Sequence, residues 1–322
     1  MRPPVFISNF APCIEKYITF RCSIGYSESS YQRRMRQFDH FCAERFPDAH
    51  AISEEIAMEW ACLQNGESEN NQGQRISALK GLLDYLNASG IKSFTIPGGW
   101  IHRQKPFMPY LYSDSELICF FRGADSIPKC PLSGPREMIA PVVFRMHFCC
   151  GLRPQETIAL HRNDVNLNDG ILYIADSKGY KDRLVPMSGD LHRLCQKYDR
   201  LMSYIFPGRE YLFQRSPGNI PITAEWQGDL FRACARNTGM NFDKYRCPRV
   251  YDFRHNFATH VIRKWMMEGK NISAMLPYLS AYMGHSSLSA TAYYVHLVPE
   301  HFTETGFAAW GCMPAGNAVH QL

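Results

Sequence analysis

Five polar side chains, scattered over 142 positions, carry the chemistry this sequence offers: Arg153, Lys178, Arg254, His285 and Tyr294. Arg153 lies in Gly151-Leu152-Arg153-Pro154-Gln155-Glu156, where Pro154 suits the first position of a helix and Glu156 the third. That places a planar two-donor fork at a helix start, an arrangement suited to a phosphate, with Glu156 able to hold the arginine. Lys178 falls in the turn Ser177–Asp182 between two expected strands, from which an ammonium could protonate a leaving oxygen. Arg254 sits in Tyr251-Asp252-Phe253-Arg254-His255-Asn256-Phe257-Ala258, and His285 and Tyr294 in the segment from Gly284 to His296. Each segment alone also suits a capped helix, a solvated hairpin tip or a core helix with a satisfied histidine.

The elements that must position them follow from periodicity. Tyr31, Met35, Phe38, Phe41, Cys42 and Phe46 form a helical stripe, with Arg33, Arg34 and Arg36 on other faces and Pro47 closing it. Ser53 opens a second helix through Ile56, Trp60 and Leu63, and Ile76, Leu79, Leu82, Leu83 and Leu86 mark a third, stopped by Gly90. Residues 97–112 hold Pro97, Gly98, Gly99, Pro106 and Pro109 with Arg103 and Lys105 among them, the composition of an extended linker. Ser113 and Glu116 form a capping box, and a helix through Met138–Cys149 follows. Val165–Leu167, the turn Asn168-Asp169-Gly170, Ile171–Ala175 and Arg183–Pro186 read as short antiparallel strands. The expected fold is mainly α with a small antiparallel β-sheet in the second of two domains.

Composition bounds the function classes. Formal charge is +5, with 12 Lys+Arg against 11 Asp+Glu in residues 1–112 and 23 against 19 beyond, so a nucleic-acid surface must come from local placement. No apolar run is long enough for a membrane span, and the start does not resemble a signal peptide. The 12 cysteines form no C-x-x-C pair and read as reduced thiols of a cytoplasmic protein, with no zinc site expected.

Together and in this order, Arg153, Lys178, Arg254, His285 and Tyr294 resemble the Arg…Lys…Arg…His…Tyr constellation of the tyrosine recombinase (phage integrase) family. The segments Gly-Leu-Arg-x-x-Glu, Lys178-Gly179-x-Lys181-x-Arg183-x-Val185-Pro186 and Asp252-Phe253-Arg254-His255-x-Phe257-Ala258 match as well, and a tyrosine nine residues after His285 selects Tyr294 over Tyr293. The stretch Trp265–Tyr282 is most similar to integrases of bacterial mobile elements.

The resemblance implies a two-domain clamp on double-stranded DNA: a SAM-like helical core-binding domain (1–96), a linker (97–112), a catalytic domain (113–297) and a tail (298–322) exchanged between subunits of a tetramer. It implies Tyr294 as nucleophile, Arg153, Arg254 and His285 on the phosphate, Lys178 as general acid, Glu156 in support, and neither metal nor cofactor. Arg33, Arg34, Arg75, Lys80, Arg103 and Lys105 are candidate DNA contacts, beside a solvated-face reading for each. Related recombinases or DNA-bending factors are further candidate partners, and the nucleoid the expected location when on DNA.

One position departs from the family pattern His-x-x-Arg: Tyr251 stands where the histidine would be. A phenol can hydrogen-bond a phosphoryl oxygen but does not carry the positive charge of an imidazolium, so weaker transition-state stabilisation is expected there. His255 and His260 are not assigned the missing role. Two alternatives remain open at this point: a catalytically weakened DNA-binding paralogue, and a type IB topoisomerase-like activity.

Overall fold

The computed structural model describes residues 6–26, 28–100, 108–175, 182–240 and 247–298. Lys178, Arg103, Lys105 and the apolar tail residues Phe302, Phe307, Trp310 and Met313 lie outside them. The chain divides into two compact units, Met1–Phe107 and Met108–Leu322.

The first unit packs α1 (Ala11–Ser23), α2 (Glu28–Arg45), α3 (Glu54–Ala61) and α4 (Glu69–Ala88). Met35, Phe38 and Cys42, spaced by one helical turn, are buried against Trp60, Leu79, Leu82 and Leu83. Ser53 and Ser68 cap α3 and α4 by accepting from Ile56 N–H and Asn71 N–H. Buried Asp39 accepts hydrogen bonds from the backbone N–H groups of Ile7 and Ser8, which fastens the segment ahead of α1. Leu63, expected in the second helix, lies beyond Ala61 and is exposed.

The second unit begins at α5 (Asp114–Asp125), whose capping box is formed by Ser113 and Glu116. It continues with α6 (Arg136–Cys150), α7 (Pro154–Ala159), β1 (Val165–Asn166), β2 (Ile171–Ile174), β3 (Arg183–Pro186), α8 (Gly189–Ile205), β4 (Gln214–Ser216), β5 (Ile220–Pro221) and α9 (Ala224–Asn237). Then come α10 (Asp252–Met267), α11 (Ile272–Met283), α12 (Leu288–Ala292) and a 3-10 turn, Tyr293–Leu297. Strands β1, β2 and β3 form an antiparallel sheet in that order, with Leu172 opposite both Val165 and Val185. Leu172 and Ile174 point inward and Tyr173 outward, the two-residue alternation of a sheet with one covered face. Phe120, Phe144, Phe231 and Phe253 meet edge to face or tilted at the centre of the core. A smaller cluster of Ala258, Ile262, Leu279, Met283 and Tyr294 lies where α10, α11 and the final turn converge.

Candidate active site

The site is assembled from two chain reversals and a final 3-10 turn. At the first, α6 ends on Gly151 in the left-handed region (φ 61°), and the chain re-enters a helix two residues later with Arg153 as N-cap. A Cβ at Gly151 would stand 2.5 Å from the Phe257 ring, so only glycine fits. Beneath this turn lies a buried polar network. His147, fully buried, reaches Leu152 O at 2.9 Å through Nδ1, and Gln227 Nε2 donates to His147 Nε2 (2.9 Å) and to Thr157 Oγ1 (3.0 Å). These bonds require the neutral Nδ1–H tautomer, and burial agrees by pushing the imidazole down to about 4. The Arg153 turn is thus fixed from inside the core.

At the second reversal, α11 ends on Gly284 (φ 66°), followed at once by His285. A Cβ at Gly284 would sit 2.9 Å from Arg183 Nη1, so both backbone and neighbour demand glycine. The carbonyls freed at this helix end receive the two arginines. Arg153 Nη2 donates to Gly284 O (2.7 Å) and Arg254 Nη2 to Met283 O (2.6 Å). Last-turn carbonyls lack helical partners and carry partial negative charge, so they suit guanidiniums. Arg254 Nη1 donates to Gly151 O, completing a bridge from the first reversal to the second.

Glu156 is the electrostatic centre of this arrangement. Its carboxylate accepts from Arg153 N–H (2.8 Å) and Arg153 Nη1 (2.7 Å), and from Arg183 Nη1 (2.9 Å) and Nη2 (2.8 Å). Arg183 also donates from Nε to Tyr282 O (2.9 Å). Burial raises the Glu156 pKa, but the Arg183 and Arg153 donors outweigh it and hold the carboxyl below its ordinary range. Glu156 and Arg183 side chains are each 7% exposed, so this is a buried ion pair and its rupture strands a charge. Glu156→Gln should therefore cost about 3–5 kcal/mol of stability at neutral pH. Because the native carboxyl has a depressed pKa, the wild type's advantage is present above the ordinary Glu range and is lost as pH falls from there through the lower pKa of the folded state. Urea unfolding of both proteins across pH checks this; a variant as stable as wild type at pH 7 contradicts it.

The third element is the turn carrying Tyr294. This phenol is 3% exposed, and its hydroxyl lies 3.1 Å from His255 Nδ1. Burial pushes Tyr294 up to about 12, against the lowering influence of Arg254 and Arg153. Arg254 is itself fully buried, and burial and then Arg153 bring it down to about 10, which leaves it charged at neutral pH. His285 Nδ1 lies 2.7 Å from Thr291 Oγ1, and its ring stacks on Tyr294 with centroids 6.1 Å apart. Burial, Arg254 and Arg153 hold His285 at about 4.

Arg153, Arg254, His285, Glu156 and Tyr294 are therefore brought together, and Tyr251, 36% exposed, lies beside them with its ring 5.1 Å from that of His255. His255 and Arg183 are the residues sequence reasoning passed over as site components. Arg183 stood in a matched segment, but its partner Glu156 is 27 residues away. On the first unit, Arg33 is exposed, Arg34 donates to Gln74, and Lys80 pairs with Asp84 at 2.8 Å. Arg75 corrects an expectation. It is buried, stacked on Trp60 and bonded to Glu67 and to the carbonyls of Trp60 and Cys62, so it is a structural cation rather than a DNA-facing one. Among the described residues no group of three or more His, Cys, Asp or Glu could hold a metal ion, and no helix is long and apolar enough to cross a membrane.

The model of the phage integrase family matches residues 126–301. The chain is 31% identical to tyrosine recombinase XerD of Pseudomonas putida over 73% of this chain and 74% of that one. It is 28% identical to the y4rE protein of Sinorhizobium fredii over 88% of this chain and 90% of that one. Its fold is similar to that of the Tn1549 transposon integrase in complex with transposon right end DNA, with a TM-score of 0.64, 14% identity and coverage of 91% and 98% of the two chains. The chain belongs to the phage integrase family.

Proposed function

We propose that the protein breaks and rejoins DNA strands at specific sites, with Tyr294 forming a 3′-phosphotyrosyl intermediate. The observation that carries this reading is the cluster of charge against which Tyr294 is folded: two guanidiniums anchored on consecutive carbonyls, with His285 stacked on the phenol. A phosphodiester resists attack because its oxygens repel nucleophiles. Arg153 and Arg254 neutralise the charge that grows on those oxygens, and preorganisation by fixed carbonyls spares the cost of arranging them during reaction. His285 donates from Nε2 in the tautomer whose Nδ1 accepts from Thr291. Tyr294 displaces the 5′-oxygen, which takes a proton from Lys178, and a partner strand's 5′-hydroxyl reverses the step. One phosphoester replaces another, so neither ATP nor a redox partner enters the balance.

The partner is double-stranded DNA carrying specific sites, held by both units, with phosphate contacts from Arg33, Arg34 and Lys80 and from the basic segment around Arg103 and Lys105. Residues 298–322 join neighbouring subunits into a tetramer on two sites. The test is a nicked suicide duplex from the DNA flanking the gene. Wild type should form a covalent adduct, and mass spectrometry of its peptides should place the nucleotide on Tyr294. A modification on any other residue, or no adduct on any such duplex, defeats the reading.

Tyr251 favours a tuned rather than an inactive site, because its half-exposed ring, which bears a hydrogen-bonding hydroxyl, lies against that of His255. Tyr251→His should preserve or raise the single-turnover cleavage rate. Abolished cleavage in a variant that still shifts the duplex would give the phenol a separate task.

A further inference from the structure

The family's usual histidine is missing three residues before Arg254, yet an imidazole does meet the nucleophile. It comes from one turn further along α10. His255 Nδ1 stands 3.1 Å from the Tyr294 hydroxyl, with ring centroids 5.6 Å apart. Residues 251 and 255 are four apart on one helix and so share a face, and their rings lie side by side. Nδ1 is therefore on the reacting oxygen itself.

We infer that His255 is the general base for Tyr294, taking the phenolic proton on Nδ1 as the oxygen attacks phosphorus, a role that rests on the Tyr294 reading above. The protonation states suit it. Burial, Arg249 and Arg254 hold the imidazole at about 4, so it is neutral and its Nδ1 lone pair is open to the phenol when the ring hydrogen is on Nε2. Tyr294, pushed up to about 12 by burial, is protonated at neutral pH and needs an acceptor. Among the described residues, the groups near His255 include Arg249 and Arg254 at the start of α10, Tyr251 beside it, Tyr294 from the final turn, and His285 after α11. The two arginines and His285 disfavour an imidazolium. A scissile phosphate brings a negative charge among them and favours the imidazolium, so the base strengthens when substrate arrives.

The step balances. The Tyr294 O–H bond breaks and its proton passes to Nδ1; the Oη–P bond forms; the P–O5′ bond breaks, and O5′ is protonated by Lys178. On rejoining, the imidazolium returns its proton to the departing Tyr294 oxygen. One ring thus serves as base in cleavage and acid in ligation.

The experiment is single-turnover adduct formation on the suicide duplex at pH 6 to 9, with gel shift confirming that each variant binds DNA. His255→Gln should cleave about 10²–10⁴-fold more slowly at pH 7. Its deficit should narrow as pH rises, because preformed phenolate then replaces base-assisted attack. Imidazole in solution should restore cleavage by His255→Ala in a dose-dependent way. A purely structural role predicts a deficit that is the same at every pH and is not rescued, and that pattern overturns the assignment, as does a His255→Gln rate close to wild type. Should both variants fail to bind DNA, ¹⁵N-histidine NMR of the intact protein against Tyr294→Phe supplies the decision. Loss of the phenol should move the His255 Nδ1 signal, and an unmoved signal removes the base. Absence of any adduct in wild type overturns the Tyr294 reading itself; an adduct in wild type with an unaltered pH profile in His255→Gln overturns His255 alone.

Discussion

Tyr294→Phe should form no covalent adduct with a nicked duplex, while shifting the same duplex at the same protein concentration as wild type. The substitution removes one oxygen and leaves the ring, which is buried among Ala258, Ile262, Leu279 and Met283. Packing therefore survives, and the lost hydroxyl bond to His255 is worth about 0.5–1.5 kcal/mol of stability. Catalysis has no such reserve, because covalent transfer needs an oxygen on the ring. Tyr293 does not substitute for it. Its ring is tilted 64° from that of Tyr294 at a centroid distance of 5.7 Å, whereas the hydroxyl on His255 belongs to Tyr294. Adduct formation by the Phe variant would move the nucleophile to another residue.

Arg254→Gln should lower single-turnover cleavage on the order of 10³-fold, from the loss of a preorganised cationic donor at a phosphate. Arg254 is fully buried, and its fork joins Gly151 O to Met283 O, so glutamine removes both the charge and the bridge. Arg254→Lys restores the charge alone. An ammonium is a point donor that cannot hold two carbonyls in the fork's plane, so lysine should recover only part of the rate. Comparing the three proteins separates charge from geometry. Cleavage by the glutamine variant within about tenfold of wild type would fall below even the loss of one such donor and exclude this residue from the phosphate.

Much of this arrangement was legible in the sequence, for a physical reason: the signals were local. Pro154 and Glu156 announced the helix start that holds Arg153, Asn168-Asp169-Gly170 the hairpin, and the spaced leucines of α4 the core of the first unit. What was not legible depends on partners remote in the chain. His255 acquires its meaning from a hydroxyl 39 residues later, and Arg183 from a carboxylate 27 residues earlier. Helix α1 was not legible because only Ile14, Tyr17 and Ile18 of it are buried, a stripe too sparse to stand out. Strands β4 and β5, three and two residues long, are too short to show alternation. Arg75 read as a surface cation because nothing nearby in sequence reveals the Trp60 face and the Glu67 carboxylate that enclose it.

Helix α11 carries on two successive peptide groups the anchors for two residues from distant parts of the chain, and the next residue is His285. Arg153, Arg254 and His285 consequently share one mechanical reference, the last turn of a single rod. A substitution that distorts that turn would therefore disturb several catalytic groups together, with Arg153 and Arg254 left only their other holds on Glu156 and Gly151 O.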